Sequence, residues 1–161
     1  MSSLNIQIAP STIKTQVKNH LSIIGRRVKD NTGKSLYSSI QLTTNEDNIV
    51  ETYMDGAIDF LVGQLADVVT ITLINGSYNV TFANSRWTGG VNKADFTPSF
   101  NDAFTRFVVA YTVSQVLSMY APEYAKKYDA DASNVLVTLK QLVFTKQPPD
   151  STYTEPSGSC E

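Results

Sequence analysis

The sequence predicts an α+β fold, mainly α: a four-helix core with one β-hairpin and extended termini. Three observations predict it. The stretch Pro98 to Tyr120 carries only two charges, Asp102 and Arg106, and repeats apolar residues at helical spacing over a very wide arc. That is the mark of a buried, central helix. Three further stretches, near residues 10–25, 44–66 and 132–143, repeat apolar residues on one helical face. Between them, Asn75-Gly76 separates two runs that alternate in hydropathy, the signature of a two-residue hairpin.

The 161 residues favour one domain, and 42% hydrophobic residues suffice for a core. We place this domain at 1–147, with 1–9 as an extended arm and 148–161 as a flexible tail. In order, Leu4, Ile6 and Ile8 alternate with polar residues, as in a short strand or an extended arm. Pro10 and Ser11 read as a helix start, with Ser11 able to cap. Ile13, Val17, Leu21 and Ile24 form one apolar face, and Gly25 reads as the stop. Asp30-Asn31-Thr32-Gly33 is a turn, and the Ser/Thr-rich 34–43 reads as a loop.

Thr43-Thr44-Asn45-Glu46 is a capping box that opens the second helix. Val50, Met54, Ala57, Ile58, Leu61 and Leu65 give its buried face. Gly56 and Gly63 weaken it, and a close helix neighbour would account for them. The Asn75-Gly76 loop then pairs Leu73 with Tyr78, Ile71 with Val80 and Val69 with Phe82, all apolar, while Thr72–Asn79 and Thr70–Thr81 are polar. Residues 84–97 read as a loop holding Trp87, a packing anchor or an interface hot spot. Thr97-Pro98 starts the central helix, and Pro122 ends it. A short helical turn at 123–128 and a last helix marked by Ala132, Val135, Leu136, Leu139, Leu142 and Val143 follow. The end is rich in Ser, Thr, Pro and Gly, with Tyr153 as its single anchor.

The formal net charge is −2, yet the charges are segregated. Residues 1–34 hold six basic residues, among them Arg26, Arg27 and Lys29, against one acid, Asp30. Residues 46–67 hold six acids and no base. Such asymmetry fits docking between parts or copies, and it also fits two separately solvated faces. Glu51, Asp55 and Asp59 fall at i, i+4 and i+8, one stripe of the second helix. The stripe reads as a solvated face, a contact for a basic partner, or, least of all, a metal site, since no histidine accompanies it.

Chemistry is sparse. His20 is the single histidine and Cys160 the single cysteine. A zinc shell and an internal disulfide are therefore not expected, and an intracellular or particle-bound setting fits. No nucleophile-elbow or phosphate-loop pattern occurs. The basic stretch 26–34 lacks the aromatic interleaving of nucleic-acid binders. The start MSSLNIQIAP does not read as a signal peptide, and no run reads as a membrane span. We expect no enzyme, no cofactor and no membrane contact.

The helix 44–66, the hairpin at Asn75-Gly76, the apolar helix from Pro98, and Tyr120-Ala121-Pro122-Glu123-Tyr124 leading to a final helix together resemble the head–tail connector (adaptor, or head-completion) proteins of tailed bacteriophages. The resemblance covers roughly residues 44–147 and is one of element order. It implies a homo-oligomeric ring in the virion, assembled in the host cytoplasm, that bridges the portal protein to tail or neck proteins and helps retain DNA. Non-specific contact with DNA stays open. A tail-completion or other virion ring protein, and a small cellular binding domain, are the alternatives. The interface candidates are Arg26, Arg27, Lys29, Glu51, Asp55, Asp59, Trp87 and Tyr153.

Overall fold

The computed structural model describes residues 5–29, 32–33, 47–66, 68–82 and 93–144. Among these, the order is β1 (Asn5–Ile8), α1 (Pro10–Arg27), α2 (Asp47–Leu65), β2 (Val69–Ile74), β3 (Ser77–Phe82), α3 (Lys93–Tyr120) and α4 (Pro122–Phe144). The fold is mainly helical with a small antiparallel sheet, as the sequence predicts.

The centre is α3. Phe100, Phe104, Val108, Val113 and Leu117 are completely or almost completely buried. Its aromatic residues form a ladder: Phe96–Phe100, Phe100–Phe104 and Phe107–Tyr111 ring centroids lie 5.8, 5.9 and 5.9 Å apart. The sheet caps the early part of this ladder. Phe82 meets Phe96 and Phe100 edge-on at 5.4 and 5.2 Å, and Tyr78 meets Phe104 at 6.2 Å. These arrangements suit the aromatic quadrupole and add to the area buried. The ladder also explains one difference from expectation. The helix does not start at Pro98 but at Lys93, with Pro98 inside it. Extending it by more than a turn seats Phe96 against Phe82, and this packing outweighs the backbone bond that proline cannot donate.

Predicted and observed buried faces agree on α1 and α2. Ile13, Val17, Leu21 and Ile24 are buried, as are Val50, Met54, Ala57, Ile58, Leu61 and Leu65. The ends of α1 differ. Ala9, not Ser11, is the N-cap, without a side-chain bond, and Pro10 takes the first helical position. Gly25 does not stop the helix. It is buried within it, and Val28 closes the end by donating its N–H to the Ile24 carbonyl. Arg26 and Arg27 thus lie in the last turn, where the helix dipole favours cations. Downstream, Gly33 sits at φ 81°, the left-handed conformation that its turn requires.

At the other end of α3, Pro122 opens α4 as its first residue, and only Ala121 separates the two helices. The short turn and last helix expected after Pro122 are one continuous helix, because nothing between Glu123 and Ala132 breaks it. Ala125, Ala132, Val135, Leu139 and Val143 form its buried face as it folds back along α3.

The hairpin has the predicted register, from Val69↔Phe82 to Ile74↔Ser77. Asn75 at φ 52° and Gly76 at φ 74° make the tight loop that matches strand twist. Residues 5–8 take the strand alternative. β1 pairs antiparallel with β3, Ile6 with Val80 and Ile8 with Tyr78, and both isoleucines are buried. The hairpin is therefore part of a three-stranded sheet, and this stretch of the expected arm is held by its own chain. The capping box, the 34–43 loop, most of the 84–97 loop and the tail lie outside the described residues.

The close neighbour expected at Gly56 and Gly63 is absent among the described residues: a Cβ at either would meet nothing within 4 Å. Gly56→Ala and Gly63→Ala are therefore expected to stabilise the chain by up to about 1 kcal/mol each, through higher helix propensity. Chemical denaturation of each variant checks this, and a loss of stability would mean that something packs closely on that face.

Candidate functional site

The start of α1, the middle of α2 and the hairpin tip enclose a cleft of about 400 Å³. Each element sends a different chemistry into it. Proline at the first position aims α1 so that Lys14 lies one turn inside. Met54 supplies an apolar floor from α2, while Glu51 and Asp55 supply its acids. Leu73 and Tyr78, opposite each other in the hairpin, form the remaining wall. Lys14 Nζ and Glu51 Oε1 form a salt bridge across the mouth. Basic and acidic regions thus meet at this point inside one chain. An exposed pair of this kind contributes no more than about 1 kcal/mol and is screened by salt.

Tyr78 gives the cleft its most perturbed group. Its phenol is pushed up to about 12, by burial first and then by the Asp55 and Glu51 carboxylates. Both causes disfavour the phenolate. The hydroxyl stays a neutral donor beside two acids. Linkage sets the sign of the consequence. Below about pH 10 the phenol is neutral in both states. Between about 10 and 12 the unfolded chain ionises it and the folded chain does not, so this group draws stability down as pH rises. Unfolding midpoints should therefore fall more steeply with pH in the wild type than in Tyr78→Phe over that window. Parallel profiles would contradict this environment for Tyr78.

The predicted interface residues fall into separate places. Glu51, Asp55 and Asp59 are all exposed on α2, and the first two face the cleft. Arg26 and Arg27 end α1, and Lys29 follows, all exposed. Arg26 lies 12 residues beyond Lys14, roughly 18 Å along the helix. This cationic end is therefore held apart from the cleft. Trp87 and Tyr153 lie outside the described residues. On a different flank from the acidic stripe, α2 exposes Ile49 and Phe60, 39% and 41% accessible. Phe60 is held in place by stacking on Phe107 and Tyr111, both at 6.0 Å.

Sequence reasoning missed Tyr78 and Lys14 as cleft residues. An apolar hairpin face suggests burial along its whole length, whereas Leu73 is 62% exposed. The available signal was strand length: the apolar alternation runs on to the loop, farther than the helices beneath can cover.

A second cleft, of about 370 Å³, lies where α1 meets the α3–α4 pair. There His20 Nδ1 hydrogen-bonds the Tyr128 hydroxyl at 3.1 Å, with the rings edge-on at 5.7 Å. Burial and then Asp131 raise the Tyr128 phenol above its usual range. His20 is thus an exposed, hydrogen-bonded histidine. Among the described residues no cluster of His, Cys, Asp or Glu could hold a metal ion, and no helix is long and apolar enough to cross a membrane.

No protein family matches the chain, and neither a curated protein nor a solved structure does.

Proposed function

We propose that this chain is a non-enzymatic structural protein that assembles into a ring of identical copies. In that reading it is a head–tail connector of a tailed phage, bridging portal and tail or neck proteins in the virion and helping retain DNA. The element order carries the resemblance. The observation that carries assembly is the placement of unlike patches on one chain. Asp55 and Asp59 line the exposed side of α2. The cationic end of α1 lies roughly 18 Å from Lys14, at the cleft. This end is thus set apart from the Lys14–Glu51 bridge, and in this reading it meets the acidic stripe of the next copy.

Contact between two different patches is head-to-tail, and repetition of it closes a ring when the rotation permits. The charges orient the copies. Exposed apolar side chains such as Ile49 and Phe60 supply contact area, since rim charges steer and orient more than they bind. Mass measurement of the purified chain at low and high salt tests the reading. A multi-copy species that salt disperses supports it, and a monomer under all conditions refutes it.

A further inference from the structure

The cleft between α1, α2 and the hairpin holds two polar groups that nothing in the chain answers. The first is the Tyr78 hydroxyl. Tyr78 is only 5% exposed, and no group among the described residues hydrogen-bonds that hydroxyl. It lies close enough to the Asp55 and Glu51 carboxylates for both to act on it, so it points into the cleft and not into the core. An unmet hydroxyl at this depth costs free energy, which an entering partner recovers.

The second group is the Asp55 carboxylate. Glu51 is engaged by Lys14 at the mouth, whereas Asp55 has no ion pair among the described residues. The cleft therefore carries an uncompensated negative charge. The rest of its lining is apolar: Met54 forms the floor, and the exposed Leu73 forms the outer wall.

These features select an occupant by its chemistry. An anion would meet Asp55 with Lys14 already taken. A metal ion lacks ligands, since no cluster of His, Cys, Asp or Glu among the described residues could hold one. A wholly apolar ligand would strip water from Asp55 and Tyr78 and return nothing. A cation on a short apolar stem answers every part of the lining. A guanidinium does so better than an ammonium, because its planar fork can donate to both Asp55 oxygens and still offer an N–H to the Tyr78 oxygen. The phenol accepts that bond and turns its own proton to a carboxylate or to water.

We propose that this cleft is a guanidinium site that takes an arginine side chain or an alkylguanidine of the same size. Asp55 and Tyr78 hold the head group, and Met54 and Leu73 hold the stem. The site does not rest on the ring reading, since a monomer presents it equally.

Titration of the full chain with n-propylguanidinium, which reproduces an arginine side chain, tests this by two-dimensional NMR. Saturable shifts centred on Met54, Asp55, Leu73 and Tyr78 are expected. Asp55→Asn should weaken binding about tenfold or more, and Tyr78→Phe about threefold, as fits one bond to a charged group and one to a neutral group. Both variants keep the side chain's shape, and Tyr78→Phe keeps the ring that packs on Phe104. Asp59→Asn removes an exposed acid of the same helix outside the cleft and should bind as the wild type does. n-Propylammonium should bind more weakly than n-propylguanidinium. Native mass in the same titration separates the two sources of the group. Loss of multi-copy species assigns it to an arginine of another copy, and unchanged mass with saturable binding assigns it to a free guanidine. Absence of saturable binding, unchanged affinity in either cleft variant, an equal loss in Asp59→Asn, or equal binding of the ammonium would each overturn the proposal.

Discussion

Phe104→Ala is expected to destabilise the chain by about 3–5 kcal/mol, the range for truncating a buried phenylalanine. Phe104 is fully buried on α3 and holds two layers together. On its own helix it packs against Phe100 at 5.9 Å, and across to the sheet it packs against Tyr78 at 6.2 Å. Removing the ring leaves a void that neither neighbour can fill without moving a helix or the hairpin. For a chain of this size the melting temperature should fall by roughly 10 °C. Phe60→Ala is the control. Its ring is 41% exposed and stacks only on the flank of α3, so a clearly smaller loss is expected. Equal losses at both positions in thermal or denaturant unfolding would show that α3 is not the centre of the fold.

Reversing Asp55 and Asp59 to Lys together is expected to weaken salt-sensitive assembly strongly and leave the monomer folded. Glu51 is left intact in this design because it bridges Lys14 within the chain. Its reversal would break that bridge as well as change the surface. Asp55 and Asp59 are exposed, and surface changes of this kind usually alter stability by no more than about 0.5 kcal/mol. Assembly should weaken by an order of magnitude or more, because each reversal replaces attraction to a cationic patch by repulsion. Analytical size exclusion at low salt, beside far-UV circular dichroism, separates the two effects. Normal assembly of the variant would reduce the acidic stripe to a solvated face.

The helices were legible because helical periodicity and burial are the same fact seen twice. Every residue assigned to the buried faces of α1 and α2 is buried. The hairpin register was legible for a different reason: Asn75-Gly76 sets the turn, and the turn sets each pair behind it. Errors gathered where local signals compete with packing. Pro98 looked like a helix start, but Phe96 needs a place in the aromatic ladder. Gly25 looked like a stop, but it lies within a helix that Val28 closes. The third strand had a visible pattern in Ile6 and Ile8, yet no local signal could say which edge it joins. The cleft was the least legible part. Lys14, Glu51 and Tyr78 are far apart in sequence, and only tertiary packing brings them to one place.

The account of function turns on whether copies of this chain meet head to tail. Native mass measurement of the full chain at low salt, across a concentration series, tests that most directly. A closed species of one defined copy number, dispersed by added salt, is the predicted result. A chain that stays monomeric at every protein concentration and ionic strength would contradict the ring.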